Sequence, residues 1–309
     1  MKTFSLIGAA GYVAPRHMAA IKETGNELVA ALDSHDCVGV LDRFFPSCSF
    51  FTEFERFDRH LERLRTENGK CDYLSICSPN HLHDSHVRFG LRSGLDVICE
   101  KPIFVTPWQV DWLLEANSKF ENTVNTIFQL RLHPSIVELK SKIEKIDKKF
   151  DVELTYVTPR GKWYDVSWKG DEQKSGGIAC NIGIHFFDML SWIFGPKHLN
   201  IVHAYEHDMA CGYLELVKAR VKWFLSINRN HLPNPEEFKP FRSITIDGEE
   251  IQFSDGFTDL HTRSYEQILQ GNGFGIEDAK ESIFTTYEIS NSKPIGLKGD
   301  YHPFMRKRI

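Results

Sequence analysis

An α/β protein in two unequal parts is predicted. Residues 1–128 should form a doubly wound, helix-covered parallel sheet, and residues 129–309 an α+β domain with an open, mainly antiparallel sheet. Three observations predict it. Short apolar strands alternate with amphipathic helices in the first part, which is the pattern of a parallel sheet covered on both faces. From Phe150 onward the strands lengthen and are joined by hairpin signals, as antiparallel sheets require. A length of 309 residues exceeds one typical domain and gives volume for more than one dry core.

Strands in the first part are expected at Thr3 to Ile7, Leu28 to Leu32, Tyr73 to Cys77, Val97 to Cys99 and Val124 to Ile127. Pro15 to Thr24 is the first helix, with proline near its start and Gly25 where a C-terminal cap belongs. Glu55 to Thr66, Leu82 to Arg92 and Pro107 to Lys119 are further helices, the last two preceded by the capping candidates Asn80 and Thr106. In the second part strands are expected at Val152 to Val157, Ile201 to Tyr205, Tyr213 to Val217, Val221 to Ile227, Ser243 to Ile246 and Ile251 to Phe253. Asp247-Gly248 is a tight-turn signal between the last two. Helices at Ile182 to Phe194 and Ile276 to Asn291 should cover one face of this sheet. There is no internal repeat and no low-complexity stretch.

Composition narrows the function classes. Charged residues are 26% and apolar residues 41%, ordinary for a soluble globular protein. A formal charge of -5 argues against a nucleic-acid or membrane-surface protein, while leaving room for a local basic site. The basic end Met305-Arg306-Lys307-Arg308 reads as a solvated tail. Seven cysteines without a Cys-x-x-Cys pair, several inside apolar strands, suit reduced core thiols and a cytoplasmic location. Met1-Lys2 runs straight into a strand and no apolar stretch approaches the roughly 20 residues of a membrane span, so neither signal nor anchor is expected.

The first strand runs into Gly8-Ala9-Ala10-Gly11-Tyr12-Val13-Ala14. Glycines at a strand-to-helix turn let the backbone approach a pyrophosphate, whose oxygens meet the free amides of the helix start. Ala10 and Ala14 stand where the usual motif has its second and third glycines. A second strand ends at Asp33, twenty-two residues past Gly11. A carboxylate there accepts hydrogen bonds from ribose hydroxyls and repels a 2′-phosphate, favouring NAD over NADP. Ser78-Pro79-Asn80-His81-Leu82-His83 and Glu100-Lys101-Pro102 close two further strands, at the carboxyl end of the sheet where such folds bind ligands. His81, His83 and His86 invite a metal reading. A helix starting at Asn80 would spread them around its axis, however, and no thiol or carboxylate cluster completes a coordination sphere, so no metal is expected.

In this order the glycine turn, Asp33, Ser78-Pro79-Asn80 with His83, Glu100-Lys101-Pro102, Gln129 and Ser175-Gly176-Gly177 leading to His185 and Asp188 resemble the glucose-fructose oxidoreductase and inositol dehydrogenase family. The resemblance spans nearly the whole chain. It implies an N-terminal Rossmann domain, a C-terminal α+β domain whose open sheet forms an oligomer interface, and NAD as cofactor. The cofactor would be held by Gly8, Ala10, Gly11, Tyr12, Val13 and Asp33, by Ser78, Asn80, His83, Glu100 and Lys101, and by Gln129 and Trp168. The essential lysine falls on Lys101 and the catalytic histidine on His185. The family's usual Asp four residues before that histidine is Asn181 here, and Asn cannot relay a proton.

Longer runs, at 7–12, 14–18, 97–102, 160–164, 167–171, 181–186 and 256–262, resemble the family branch that oxidises UDP-N-acetyl-glucosaminuronate at its 3-hydroxyl in bacterial O-antigen biosynthesis. That implies an acidic UDP-sugar uronate as substrate, 2-oxoglutarate as a recycling oxidant, and a homotetramer. The residue types suit this chemistry. Oxidising a secondary alcohol needs a base for the hydroxyl proton and a donor or cation at the developing alkoxide. Lys101 would hold the hydroxyl and His185 would accept the proton, its imidazole favoured in the neutral form because Asn181 replaces a carboxylate. Arg160, Lys162, Lys169 and Lys174, interleaved with Trp163, Tyr164 and Trp168, suit a charged sugar nucleotide. Of these Arg160, Trp163 and Lys169 are expected to bind substrate together with Lys101, Asn181 and His185. Two other readings stay open: a dehydrogenase of the same fold acting on an uncharged sugar or inositol, and a non-catalytic NAD-binding regulator, against which Lys101 and His185 speak.

Overall fold

The computed structural model describes residues 1–36, 38–67, 71–117, 119–237, 239–251 and 259–308. In chain order it runs β1 (Thr3–Ile7), α1 (Ala14–Glu23), β2 (Glu27–Leu32), α2 (Val38–Phe44), β3 (Ser49–Phe51), α3 (Phe54–Thr66), β4 (Tyr73–Ile76), a 3₁₀ turn at Asn80–Leu82, α4 (His83–Arg92), β5 (Asp96–Cys99), α5 (Pro107–Asn117) and β6 (Val124–Thr126). Then come α6 (Pro134–Glu144), β7 (Phe150–Val157), α7 (Trp163–Val166), α8 (Glu172–Ser175), a π turn at Ala179–Gly183, α9 (Ile184–Phe194), β8 (Lys197–Tyr205), β9 (Met209–Leu216), β10 (Ala219–Ser226), β11 (Phe241–Ile246), β12 (Glu249–Glu250), α10 (Leu260–Leu269), α11 (Ile276–Asn291) and a 3₁₀ stretch at Pro303–Arg308. The chain forms two compact units. One contains Met1–Phe104, Trp108–Leu132 and Thr258–Ala279; the other contains Val105–Pro107, His133–Phe257 and Lys280–Ile309.

The first unit is built on a parallel sheet of order β3-β2-β1-β4-β5-β6. Strand order reverses between β1 and β4, which opens a crevice at their carboxyl ends. Phe4 of β1 stacks on Tyr73 of β4 at 4.8 Å between ring centroids, and α1 contributes Met18 and Ile21 to the same core. Helix α10 also docks there through Tyr265, which is fully buried and 5.8 Å from Phe4. This segment lies far beyond the expected division at 128/129 and still packs with the first unit. Its buried residues, Leu260, His261, Ser264, Tyr265 and Ile268, form a helical stripe with few aliphatic members, so no apolar periodicity announces it. Strand β3 and helix α2 were not expected either, being only three and seven residues long.

The second unit has a sheet of order β12-β11-β7-β10-β9-β8, in which only the β7–β10 pair is parallel. Helix α9 covers one face, Phe187 meeting Trp223 of β10 edge-on at 5.3 Å. Phe224, the next residue, points to the opposite face and joins Val157, Met209, Cys211 and Met305. Met305 is therefore buried, which corrects its reading as part of a solvated tail: the apolar pair Phe304-Met305 precedes the basic end and finds a core. Asp247 and Gly248 form the β11–β12 turn with φ of 52° and 87°. The strand expected at 251–253 lies outside β12, and 252–253 lie outside the described residues.

Two further expectations change. Asn80 opens its own 3₁₀ turn and does not cap α4, whose cap position is Leu82 without a side-chain cap bond. The helical run Glu172–Phe194 spans 23 residues at mean hydropathy 1.3, long and apolar enough to cross a membrane, whereas no such stretch was expected. Its most apolar window is 78% buried inside the protein, as a core helix is.

Candidate active site

The cofactor end of the first unit starts where β1 leaves the sheet. Gly8 turns at φ +90°, and a Cβ there would sit 2.5 Å from the carbonyl carbon of Cys77, so only glycine fits. The turn closes with Gly11 N–H donating to the Gly8 carbonyl at 2.9 Å and leads into α1, whose N-terminal amides form the positive end of the helix dipole. Asp33 lies at the end of β2. Its Oδ2 accepts the Ala10 N–H at 2.8 Å and its Oδ1 accepts the His35 N–H at 2.9 Å. Each oxygen keeps a lone pair for a ribose hydroxyl, and the carboxylate is fixed to the glycine turn. Of the residues expected to hold the dinucleotide, Ala10 is thus tied to Asp33, and Gly11, Tyr12 and Val13 follow it in the turn that leads into α1.

Two more strand ends complete this edge. After β4, Ser78 Oγ and His86 Nδ1 are hydrogen-bonded at 2.8 Å. Buried His83 faces the Ser78 carbonyl with Nε2 at 2.8 Å and the Pro102 carbonyl with Nδ1 at 2.7 Å. The imidazole so braces the two neighbouring turns together. Burial lowers its pKa, against the pull of both carbonyls and of Glu100. Burial also pushes His86 down to about 4, so both rings are committed to the fold. After β5, Glu100 is 6% exposed. Its Oε1 accepts from His17 Nε2 at 2.9 Å and from His261 Nε2 at 3.0 Å, while Oε2 accepts the Lys101 N–H at 3.2 Å. Burial opposes ionisation of Glu100, and the histidine donors overcome it and hold the carboxyl well below the usual range. His17, Glu100 and His261 offer three ligand atoms within 4.8 Å of one another, enough in number for a metal, and both imidazoles stand at hydrogen-bond length from Glu100 Oε1.

In the second unit β7 ends at Val157 and the chain enters the loop carrying Arg160, Trp163, Trp168 and Lys169. Arg160 is exposed, its backbone N–H held by the Ile227 carbonyl at 3.0 Å. Trp163 is 53% exposed, and the Lys169 ammonium lies 4.2 Å from the Trp168 ring. Buried Tyr164 anchors the loop: its hydroxyl accepts from Asn181 Nδ2 at 2.8 Å. Asn181 sits in the π turn that precedes α9, one helical turn before His185, and both side chains are partly exposed. π turns of this kind re-aim side chains and recur at functional sites. Gly176 and Gly177, at φ 80° and 74°, shape the approach; a Cβ on Gly177 would lie 2.3 Å from the Tyr205 hydroxyl.

The structure therefore assembles the expected residues in two groups. Gly8 to Val13, Asp33, Ser78, Asn80, His83, Glu100, Lys101 and Gln129 belong to the first unit; Arg160, Trp163, Trp168, Lys169, Asn181 and His185 belong to the second. His17, Ser75, His261 and Tyr265 were not among the expected site residues. Only the spacing of His17, His261 and Tyr265 on buried helix faces could have drawn notice, and Ser75 on β4 carries no such signal, since their partners are 83 to 248 residues away in sequence.

Residues 2–128 match the family model described as an oxidoreductase family, NAD-binding Rossmann fold, and residues 140–239 match its C-terminal alpha/beta domain. The WlbA (WbpB) dehydrogenase of Thermus thermophilus, solved with NAD and UDP-GlcNAcA, is 48% identical, with a TM-score of 0.94 over 98% of this chain and 100% of that one. The same dehydrogenase solved with NAD and alpha-ketoglutarate superposes with a TM-score of 0.95 at the same coverage. A curated relative, the putative oxidoreductase YteT of Bacillus subtilis, is 29% identical over 80% of this chain and 54% of its own length. The chain thus spans about half the length of that relative.

Proposed function

The chain belongs to the glucose-fructose oxidoreductase, inositol dehydrogenase and MocA family of oxidoreductases, and on that footing we propose that it oxidises the 3-hydroxyl of UDP-N-acetyl-glucosaminuronic acid to a ketone with NAD. The observation that carries this reading is the 48% identity, over 98% of the chain, to a dehydrogenase solved with both of those molecules. The glycine turn and the fixed Asp33 carboxylate fit NAD, and the exposed Arg160 and Trp163 suit an acidic sugar nucleotide.

NAD, when bound, supplies the hydride acceptor. The other tasks fall to the chain. Lys101, at the carboxyl end of β5, holds the sugar hydroxyl and stabilises the alkoxide as its proton leaves. His185 takes that proton at an imidazole nitrogen. Asn181 keeps its amide on Tyr164 and adds no negative charge beside the imidazole, which favours the neutral, proton-accepting form. Arg160 pairs with the uronate or pyrophosphate and Trp163 stacks on a ring. On this reading 2-oxoglutarate reoxidises the reduced cofactor, the enzyme works as a cytoplasmic homotetramer, and its keto sugar feeds O-antigen synthesis.

The test is spectroscopic. Purified protein mixed with NAD and UDP-N-acetyl-glucosaminuronic acid should show growing NADH absorbance, and 2-oxoglutarate should reverse it. Lys101→Ala should abolish the signal, and His185→Asn should lower it by about 100-fold or more. Equal turnover of myo-inositol, or none of any sugar, refutes the assignment.

A further inference from the structure

Glu100 is a buried carboxylate one residue from Lys101, and its surroundings are more elaborate than a turn requires. Its Oε1 receives two N–H donors, from His17 of α1 and from His261 of α10, a residue 161 positions away. Its Oε2 takes the backbone N–H of Lys101 itself. The network continues inward: His17 Nδ1 is hydrogen-bonded to the Tyr265 hydroxyl at 2.8 Å, and that hydroxyl to the Ser75 hydroxyl at 2.7 Å. Ser75, His17 and Tyr265 are wholly buried, and His261 is 7% exposed. Burial favours the neutral form of His17, and the Glu100 carboxylate can only accept, so Tyr265 donates to Nδ1. With Nδ1 accepting, the His17 proton sits on Nε2, aimed at Glu100.

We propose that His17 and His261 are positioning residues for Lys101, acting through Glu100: their two N–H groups keep the carboxylate ionised, and the carboxylate fixes the Lys101 backbone with a negative charge one residue from its ammonium. The proposal rests on the reading of Lys101 as the group that holds the sugar hydroxyl. The physics is asymmetric. A carboxylate at 6% exposure that loses one of its two imidazole donors takes up a proton, because the donors that remain, one imidazole and the Lys101 N–H, repay too little of its desolvation. Protonated, it loses its charge and most of its grip on the Lys101 N–H. The other titratable groups facing Glu100 are Cys77 at the end of β4, Cys99 on β5, His83 on α4 and Tyr265 on α10. Burial holds both thiols and the phenol in their neutral forms, so none brings a positive charge to Glu100, and the Tyr265 hydroxyl is already committed to His17. The latch also explains why a helix from late in the chain carries a histidine on its buried face.

The experiment compares His261→Gln, whose amide can reach the Nε2 position, with His261→Phe and His261→Asn, which supply no donor there. Infrared spectra of the full chain at neutral pH, with Glu100→Gln as the reference that identifies the band, should show the carbonyl stretch of a protonated Glu100 in Phe and Asn variants only. With substrate and NAD, those two should lose about 10- to 100-fold in kcat, as expected for a misplaced catalytic group, while KM for NAD stays within about threefold. His261→Gln should restore kcat to within about threefold of wild type, as an uncharged donor suffices to satisfy the acceptor. An ionised Glu100 in the Phe and Asn variants overturns the proposal, as does equal loss of kcat in all three. If the wild type fails to oxidise the acidic sugar nucleotide, the functional reading falls, and the infrared comparison still decides the latch.

Discussion

The Asn181 amide donates to the Tyr164 hydroxyl at 2.8 Å, tying the aromatic loop after β7 to the turn that launches the His185 helix. On the proposed reading, one hydrogen bond thereby bears on both the substrate loop and the surroundings of the base. Asn181→Asp preserves the bond, since the Tyr164 hydroxyl can donate to a carboxylate, but places a negative charge one turn before His185. A neighbouring carboxylate favours imidazolium, and a base must be neutral to act. The acid limb of the kcat/KM profile should move to higher pH by about one unit, read from initial rates across pH at saturating NAD. An unmoved limb would separate His185 from the proton transfer.

Asp33 is held by the Ala10 and His35 amides, so its carboxylate is aimed before any cofactor arrives. Asp33→Ser removes both the paired acceptors and the charge that repels a 2′-phosphate. NAD affinity should fall about tenfold and NADP should become usable, as titrations with each nucleotide would record. Retained discrimination against NADP would assign that role elsewhere.

Arg160 is exposed at the end of the strand that enters the aromatic loop. If it grips a uronate or pyrophosphate, Arg160→Ala should raise KM for the acidic sugar nucleotide about tenfold or more, the worth of a charge-assisted pair, with kcat little changed. Unchanged KM in Arg160→Ala would remove it from the substrate site.

His302 belongs to the core of the second unit and is 2% exposed. Its Nδ1 accepts the Phe304 N–H at 3.1 Å and its Nε2 faces Thr155 Oγ1 at 3.2 Å, so the ring is neutral. Burial lowers its pKa from 6.5 to about 4. A lowered folded pKa means that stabilisation is complete above pH 6.5 and is lost as pH falls toward 4. Thermal unfolding followed by circular dichroism should show Tm dropping across that window. His302→Gln should start from a lower Tm and depend less on pH, with the remainder of the slope due to the other buried groups held below their ordinary pKa, among them His86, His83 and His17. An equal slope in both proteins would contradict this assignment.

Much of the framework is legible along the chain. β1 falls on the expected residues, and β2, β4, β5, β6 and β7 lie within two residues of them at either end. Each alternates with a helix or is flanked by a turn signal. The glycine turn is legible because β1 must pass within contact of Cys77, which only a residue without Cβ allows. Short edge elements such as β3 are illegible, since three residues cannot display a period. α10 is illegible for another reason: His261, Ser264 and Tyr265 are buried through hydrogen bonds as well as apolar contact, and an apolar count passes over them.

Local sequence determined where strands and helices form, which strand ends carry Asp33, Lys101 and their neighbours, and the family to which those motifs belong. It did so because turns, caps and periodicity act over a few residues, where chemistry and position coincide. Tertiary structure alone decided that α10 packs with the first unit, that Glu100 is shared by His17 and His261, and that Asn181 is spent on Tyr164. A periodic stripe reveals that a face is buried but carries no record of what buries it. Partners 83 and 161 residues apart are chosen only when the sheet closes and every buried polar group must find a match.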